Sequence, residues 1–248
     1  MSVNWKKTLF VVCDIVIAAY LLLAVTAFNK PDAKATTCTE VKIDVEQNVV
    51  EGFMTAGEIK RILSLDKCYP LSKPMADINA RTIEECLKKS PFVENAECYK
   101  THNGHVCIYV KQRIPVARVM ADNGENYYVD QKGETMPVPT GSTAYVPIIT
   151  GNVSKDFAKK ELYAFGLFLR DNSLWNAQIE QINVTAQKEL ELIPRVGENV
   201  IFLGKPENYE EKLDRLKTFY EKGLNKVGWN KYSRISLEFN NQIICTKR

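Results

Sequence analysis

Twenty-one consecutive residues near the N-terminus, Thr8 to Phe28 (TLFVVCDIVIAAYLLLAVTAF), carry a single charge, Asp14. An apolar run of this length leaves a chain few choices. As a helix rising about 1.5 Å per residue it reaches about 32 Å, enough for a hydrocarbon core of about 30 Å. An Asp at mid-span costs about 2.5–3.5 kcal/mol, and each large apolar residue returns about 0.3–0.6 kcal/mol. The apolar side chains outweigh the carboxylate, so the sequence predicts a transmembrane helix over 8–28. Lys6 and Lys7 in the tail, residues 1–7, set that tail in the cytoplasm and the bulk of the chain outside. Asp14 reads either as an intramembrane partner contact or as a carboxylate neutralised or snorkelling toward the near interface. A cleaved signal peptide is the alternative, with Val25-Thr26-Ala27 as its cleavage site. The run exceeds the usual apolar region of about 7–15 residues in such peptides.

The chain as a whole has an ordinary globular composition, 45% apolar and 25% charged in 248 residues, which suits one or two folded units behind an anchor. Of the net charge of +3, Lys6, Lys7 and Lys30 against Asp14 supply +2. The rest is near neutral and offers no basic stripe for nucleic acid. Seven cysteines are present. Cys13 lies in the apolar run. The other six, Cys38, Cys68, Cys86, Cys98, Cys107 and Cys245, allow 15 pairings in an oxidising compartment. Scattered single cysteines read first as small buried hydrophobes with free thiols. No C-x-x-C spacing occurs, so zinc-ribbon and redox motifs are absent.

Residues 29–37 read as a short polar linker. A strand then alternates through Val41, Ile43 and Val45 within Cys38 to Glu46. Thr55 and Glu58 have capping-box spacing ahead of Ile59, Ile62 and Leu63. A second helix, about Asp77 to Lys89, carries Ala80, Ile83 and Leu87 on one face. Asn103-Gly104 then predicts a β-hairpin with a type I′ turn. That turn sets Thr101 opposite Val106, Tyr99 opposite Ile108 and Glu97 opposite Val110, with Tyr99, Val106, Ile108 and Val110 on one buried face. Cys98 and Cys107 then share a face diagonally, a poor geometry for pairing. Pro115 ends the ladder, having no N–H to donate. The expected unit is βααββ over 38–115, two amphipathic helices on a three-stranded sheet.

From 116 to 248 the pattern is mostly β, with two helices. Tyr127–Asp130 and Thr135–Pro137 flank a turn, and Val146–Gly151 is a short strand. A helix opened by Ser154 runs to about Arg170 with Ala158, Leu162, Phe165 and Leu169 on its apolar face. Ile182 and Val184, Leu190 and Leu192, and Val200 and Phe202 read as a meander. Pro206 opens a last helix lined by Tyr209, Leu213, Leu216 and Tyr220, with Gly223 as its stop. Two closing strands complete the chain, Tyr232–Phe239 with Ile235, Leu237 and Phe239 alternating, and Gln242–Thr246.

No constellation carries chemistry. His102 and His105 flank the hairpin turn and read as exposed loop residues. No phosphate loop, nucleophile elbow or H-E-x-x-H is present, and no cofactor is expected. A binding surface remains. The last strand, Gln242-Ile243-Ile244-Cys245, either closes the sheet or forms its outer edge, where unpaired N–H and C=O groups template another chain's strand. Lys247 and Arg248 read as guards against indiscriminate pairing.

Three pieces in order, Pro91-Phe92-Val93, Arg113-Ile114-Pro115-Val116-Ala117-Arg118 and Tyr128-Val129-Asp130-Gln131-Lys132-Gly133, together with the βααββ order, resemble the bacterial FtsQ/DivIB division family. Leu203-Gly204 before the last helix and the ending R-I-S-L-E-F-N-N-Q-I-I-C are also similar to it. The resemblance implies an α+β chain: a cytoplasmic tail at 1–7, a transmembrane helix at 8–28, a POTRA-like domain at 38–115 and a mainly antiparallel β-domain at 116–248. It further implies a non-enzymatic septal scaffold in the cytoplasmic membrane, binding the bitopic proteins FtsB (DivIC) and FtsL. The partner is expected to add a strand beside Phe239, Asn241, Gln242, Ile243, Ile244 and Cys245, next to the helix at 209–222. Glu238 stands where some members carry a basic residue, so the side-chain contact there is expected to be altered. A signal-anchored envelope assembly factor or enzyme built on the same fold is the competing reading.

Overall fold

The computed structural model describes residues 5–28, 37–46 and 53–248. Most of the expected tail and linker, at 1–4 and 29–36, lies outside the described residues. Helix α1, Trp5–Phe28, encloses the apolar run, and its side chains from Val11 to Leu23 are exposed. Among the described residues no helix is long and apolar enough to cross a membrane. The side chains described in α1 are those of Leu9 and residues 11–24.

The first sheet is built as β1 (Glu40–Val45), α2 (Ala56–Leu65), α3 (Ala80–Lys88), β2 (Val93–Lys100) and β3 (His105–Gln112). β3 is central, with β1 parallel to it and β2 antiparallel. Thr55 starts α2 through a closed capping box: the Glu58 N–H donates to Thr55 Oγ1 at 3.2 Å, and the Thr55 N–H donates to Glu58 Oε2 at 3.3 Å. Ile59 and Leu63 of α2 and Ile83 and Leu87 of α3 bury onto Ala96, Val106, Ile108 and Val110. Each such side chain contributes about 1.5–3 kcal/mol on leaving water.

The hairpin register differs from the expected one by a residue. Tyr99 faces Cys107, and Cys98 faces Ile108. Only Gly104 in the turn has a positive φ (76°), and the Thr101 N–H donates to the His105 carbonyl at 2.9 Å. This is a three-residue loop, His102-Asn103-Gly104, with Gly104 in the left-handed conformation that closes such loops. The extra loop residue slides the pairing by one, and a one-residue slip turns a strand's side chains over. Tyr99 therefore stands 59% exposed, while Cys98 packs against the core. Cys98 and Cys107 end on opposite faces.

The second sheet has nine strands: β4 (Pro115–Ala121), β5 (Asn126–Asp130), β6 (Thr135–Met136), β7 (Ile148–Gly151), β8 (Ile179–Val184), β9 (Leu190–Pro194), β10 (Val200–Gly204), β11 (Tyr232–Ser236) and β12 (Ile244–Lys247). Their spatial order is β12-β11-β10-β9-β8-β7-β4-β5-β6. Five of the eight pairings are antiparallel. The parallel ones are β4–β7, β7–β8 and β10–β11, the last two joined by helical crossovers as parallel neighbours require. The first crossover runs α4 (Lys155–Phe157), a π-helical turn (Ala158–Leu162) and α5 (Tyr163–Asp171), then α6 (Ser173–Gln178). The second runs α7 (Tyr209–Phe219), a π-helical turn (Tyr220–Leu224) and α8 (Asn225–Val227).

Two helical expectations change. α6 is an additional helix, capped when Asn172 Oδ1 accepts the Trp175 N–H at 3.3 Å. At six residues it is too short to show a period. Gly223 does not stop the last helix. It sits inside the π turn against the Phe219 ring, 2.8 Å from where its Cβ would lie, and the helix runs on to Gly228 at φ 94°. In β10 the buried residues are Ile201 and Leu203, not Val200 and Phe202; the Phe202 ring faces outward under the Arg234 guanidinium at 4.4 Å. The expected apolar faces of both long helices hold: Ala158, Leu162, Phe165, Leu169, Leu213 and Leu216 are fully buried in one core. The helices touch through Phe165 and Tyr209, whose rings are 5.1 Å apart.

The two sheets join at Arg113. Its Nε donates to Asp130 Oδ2 at 2.7 Å, Nη1 to the Pro91 carbonyl at 2.9 Å and Nη2 to the Thr135 carbonyl at 3.2 Å. Asp130 is 2% exposed, and its Oδ1 also accepts the Lys132 and Glu134 N–H groups. Beside this pair, Phe53 packs on Phe92 and Tyr128 at 5.7 and 5.0 Å.

Candidate interaction surface at the C-terminal sheet edge

β11 alternates as its sequence requires, with Ile235 and Leu237 buried on either side of Ser236. β12 pairs antiparallel to β11, with Ser236 opposite Ile244, Ile235 opposite Cys245 and Arg234 opposite Thr246. It is the outermost strand, and no described strand pairs with its other side. Of the two readings of the last strand, the structure therefore places it at an edge.

The six expected contact residues fall together here. Phe239 and Ile244 are each 46% exposed. Asn241 and Gln242 are exposed in the turn, while Ile243 and Cys245 are half-buried against the core of the nine-stranded sheet. Strand β12 is shorter than expected, since Gln242 and Ile243 belong to the turn before it.

A residue outside that set shapes this turn. Arg215, half-buried on α7, donates through Nη2 to the carbonyls of Leu237 and Phe239, each at 3.1 Å, and through Nη1 to the carbonyl of Asn240. Three carbonyls that lack strand partners are satisfied by one guanidinium, which fixes the course of the chain from Leu237 to Asn240. Nothing in the local pattern at 215 announces this; it is one of several charged residues on a helix. α7 is itself held by Lys212, whose buried ammonium donates to the carbonyls of Leu203 and Lys205 at 3.0 and 2.9 Å. Burial pushes the Lys212 pKa down.

Between α7 and the turn leading into β12 lies a groove of about 480 Å³, lined on one side by Asp214, Arg215, Thr218 and Lys222 and on the other by Asn241, Gln242 and Ile243. It is open and of mixed charge. Arg248 does not guard that edge. It folds back onto the Glu198 carboxylate and donates to the Glu198 carbonyl at 2.8 Å. Glu238 is exposed beside the turn.

Elsewhere, His105 Nδ1 lies 3.4 Å from Glu40 Oε2 and away from any metal-like cluster; among the described residues no three His, Cys, Asp or Glu side chains gather at one point. All seven cysteines are free thiols.

Comparison with known proteins matches this architecture in both parts. The family described as FtsQ/DivIB, C-terminal related, matches residues 114–246, and a POTRA-like domain matches residues 36–111. The cell division protein FtsQ of Rhodothermus marinus is 26% identical over 201 residues, which cover 76% of this chain and 71% of that protein. The matched span of the first family exceeds half of the 248 residues. This chain belongs to the FtsQ/DivIB family of cell-division proteins.

Proposed function

We propose that this protein is a non-enzymatic scaffold of the division machinery, anchored in the cytoplasmic membrane by α1 and working through the free edge of β12. The POTRA-like and nine-stranded parts stand outside the cytoplasm. Partners of the FtsB/DivIC and FtsL type, small bitopic coiled-coil proteins, add a strand to β12 and lay side chains into the groove against α7. The link to septal cell-wall synthesis runs through those partners.

One observation carries this reading: β12 ends the sheet with its outer side unpaired and with Ile244 and Phe239 exposed beside it. In strand addition, main-chain hydrogen bonds supply affinity and side-chain pockets supply specificity. An edge of four residues with a neighbouring groove of about 480 Å³ offers both. Anchoring rests on the sequence itself, the apolar run at 8–28, and not on the described residues of α1, among which no stretch is long and apolar enough to cross a membrane.

The test is capture of FtsB/DivIC- and FtsL-type proteins from the same organism by residues 30–248, comparing wild type with Ile244→Pro and Phe239→Ala. Capture by wild type, lost in the proline variant and weakened in Phe239→Ala, is the expected result. Equal capture by wild type and Ile244→Pro, with both folded by circular dichroism, would sink the edge-strand reading.

A further inference from the structure

We propose that the loop closing α2, from Leu65 to Lys73, docks on the phospholipid headgroup layer of the membrane in which the chain is anchored. The proposal rests on the reading that residues 8–28 lie in that membrane. Eight residues, 29–36, separate Phe28 from Thr37. A chain covers at most about 3.3–3.6 Å per residue, so Thr37 lies within about 30 Å of the end of the span. The loop is stitched to this point of entry. Thr37 pairs in an isolated bridge with Pro74, the Cys38 N–H donates to the Lys73 carbonyl at 2.8 Å, and the Ser72 N–H donates to the Cys38 carbonyl at 2.9 Å.

The fold turns this end of the first sheet toward the anchor and the opposite end toward the second sheet. β1 and β3 are parallel, so Glu40 and His105 start together at the entry end, and the Thr39 N–H donates to the Gly104 carbonyl in the hairpin loop at 2.9 Å. β3 then runs eight residues, about 26 Å, to Gln112 and the Arg113 junction. α2 starts at that far end, where the Met54 N–H donates to Gln112 Oε1 at 3.2 Å, and finishes with Leu65 in the docking loop.

The loop presents the side chains that a headgroup layer takes. Leu65 is 70% exposed and Leu71 41%, and Lys67 and Lys73 beside them are exposed. Its backbone is fixed: the N–H groups of Cys68 and Tyr69 both donate to the Leu63 carbonyl, at 2.8 and 3.0 Å, just after Lys67 at a φ of 56°. Lys73 Nζ donates to the Lys67 carbonyl at 2.7 Å, which brings the two lysines together and leaves further N–H groups of that ammonium for lipid phosphate. Lys60 Nζ lies 5.5 Å from the centre of the Tyr69 ring and adds a third cation; Asp66 is the one carboxylate between Leu65 and Lys73. Leucines enter the boundary between headgroups and acyl chains while lysines keep their charged ends among the phosphates. Two leucines and a few lysines would hold a free domain weakly. The short tether makes the contact intramolecular, so a weak contact is occupied.

The test uses the full chain reconstituted into bilayers of phosphatidylcholine and phosphatidylglycerol, doped with a phospholipid that carries a photoreactive diazirine in its acyl chain close to the glycerol. After irradiation, lipid-modified peptides are mapped by mass spectrometry. The expected result is two sets of adducts, one in 8–28 from the anchor and one between Leu65 and Lys73. The double variant Leu65→Ser/Leu71→Ser should lower the loop adducts about tenfold relative to the anchor's own, and Lys67→Gln/Lys73→Gln should lower them less. All four side chains are exposed, so circular dichroism of both variants should match wild type. Adducts in 8–28 with none from 65 to 73, or loop adducts that the leucine variant leaves unchanged, would overturn the docking loop and leave the anchor standing. Adducts in neither stretch would overturn both. A lysine cross-linker in the same sample reports the rival occupant: a Lys67–Lys67 link between copies, in place of lipid adducts, would assign the loop to a second chain and overturn the proposal.

Discussion

The nine-stranded sheet finishes differently at its two ends. At the β6 end the chain consumes its own edge. Thr135 gives its carbonyl to Arg113, Met136 is buried against Phe53 and Tyr128, and Pro137 has no N–H to offer. At the β12 end the outer side has no partner strand, and Arg215 satisfies only the turn that leads into it. The smaller sheet repeats the first solution: on β2 the Cys98 N–H donates to the Glu84 carboxylate at 2.8 Å, and the Lys100 ammonium reaches back to the carbonyls of Met75 and Ile78. An exposed strand edge invites aggregation unless something closes it. The nine-stranded sheet thus has one end closed by its own chain and one end whose outer side no described strand pairs, with Phe239 and Ile244 exposed beside it.

The sharpest way to break the contrast is at the closed end. Arg113→Ala leaves the carboxylate of Asp130 buried without its cation, and removing one member of such a pair costs about 3–5 kcal/mol. Urea unfolding should show that loss, with Asp130→Asn milder because a neutral amide is easier to bury. A loss near zero would mean that water screens the junction and that the two ends are more alike than they look.

At the open end, Ile244→Pro should reduce partner affinity at least tenfold, about 1.4 kcal/mol, while urea unfolding of the first sheet stays unchanged. Titration calorimetry with the captured partner reads this directly. Arg215→Met sharpens the same point: it leaves the β12 backbone intact but frees the turn at 237–240, so affinity should fall while the helix content holds. An unchanged affinity would mean that the turn is ordered without its guanidinium.

Glu84→Ala reopens the β2 edge. The Cys98 N–H loses a charged acceptor, a hydrogen bond worth about 1.5–3 kcal/mol at its upper range. The variant should be less stable and more prone to self-associate, which sedimentation would detect. The smallest expected effect is a slow loss of stability in alkali. Burial raises the pKa of Cys86 from 9.0 to about 11 and that of Tyr127 from 10.0 to about 12. The unfolded chain therefore releases these protons first. Any stability tied to them is intact below pH 9 and is lost as pH rises from 9 through 11 to 12. Melting temperatures across that range, with Cys86→Ser showing the shallower decline between 9 and 11, test the assignment.

Much of the fold was legible because its signals are local. The Thr55–Glu58 box, the Ser154 cap and the apolar stripes at Leu162, Phe165 and Leu169 and at Leu213 and Leu216 are each written within a few residues. The alternation of Ile235 and Leu237 is equally local. The failures share a cause as well. Asn103-Gly104 marks a turn, but its loop length depends on which face of β2 the helices cover, and that put Cys98 inward and Tyr99 outward. Gly223 looks like a helix stop until the Phe219 ring occupies the space beside it. In β10 the pattern V-I-F-L gives no preference between its faces. The contact residues of the last strand came from family resemblance together with an edge that sequence left undecided. Arg215 was missed because its partners are backbone carbonyls 22 to 25 residues away.

By itself the sequence determined the elements: an apolar N-terminal helix, a βααββ unit, a β-rich remainder with two long amphipathic helices, and the absence of recognisable catalytic motifs. Periodicity, caps and turns act over a handful of residues, so one dimension suffices to read them. Only the tertiary structure decided the strand order, which edge stays open and which guanidinium closes the junction. Those outcomes depend on parallel pairings of β4 with β7 and β10 with β11, and on helix packing that joins residues far apart in the chain. Contacts of that kind are chosen by burial and hydrogen-bond satisfaction over the whole molecule.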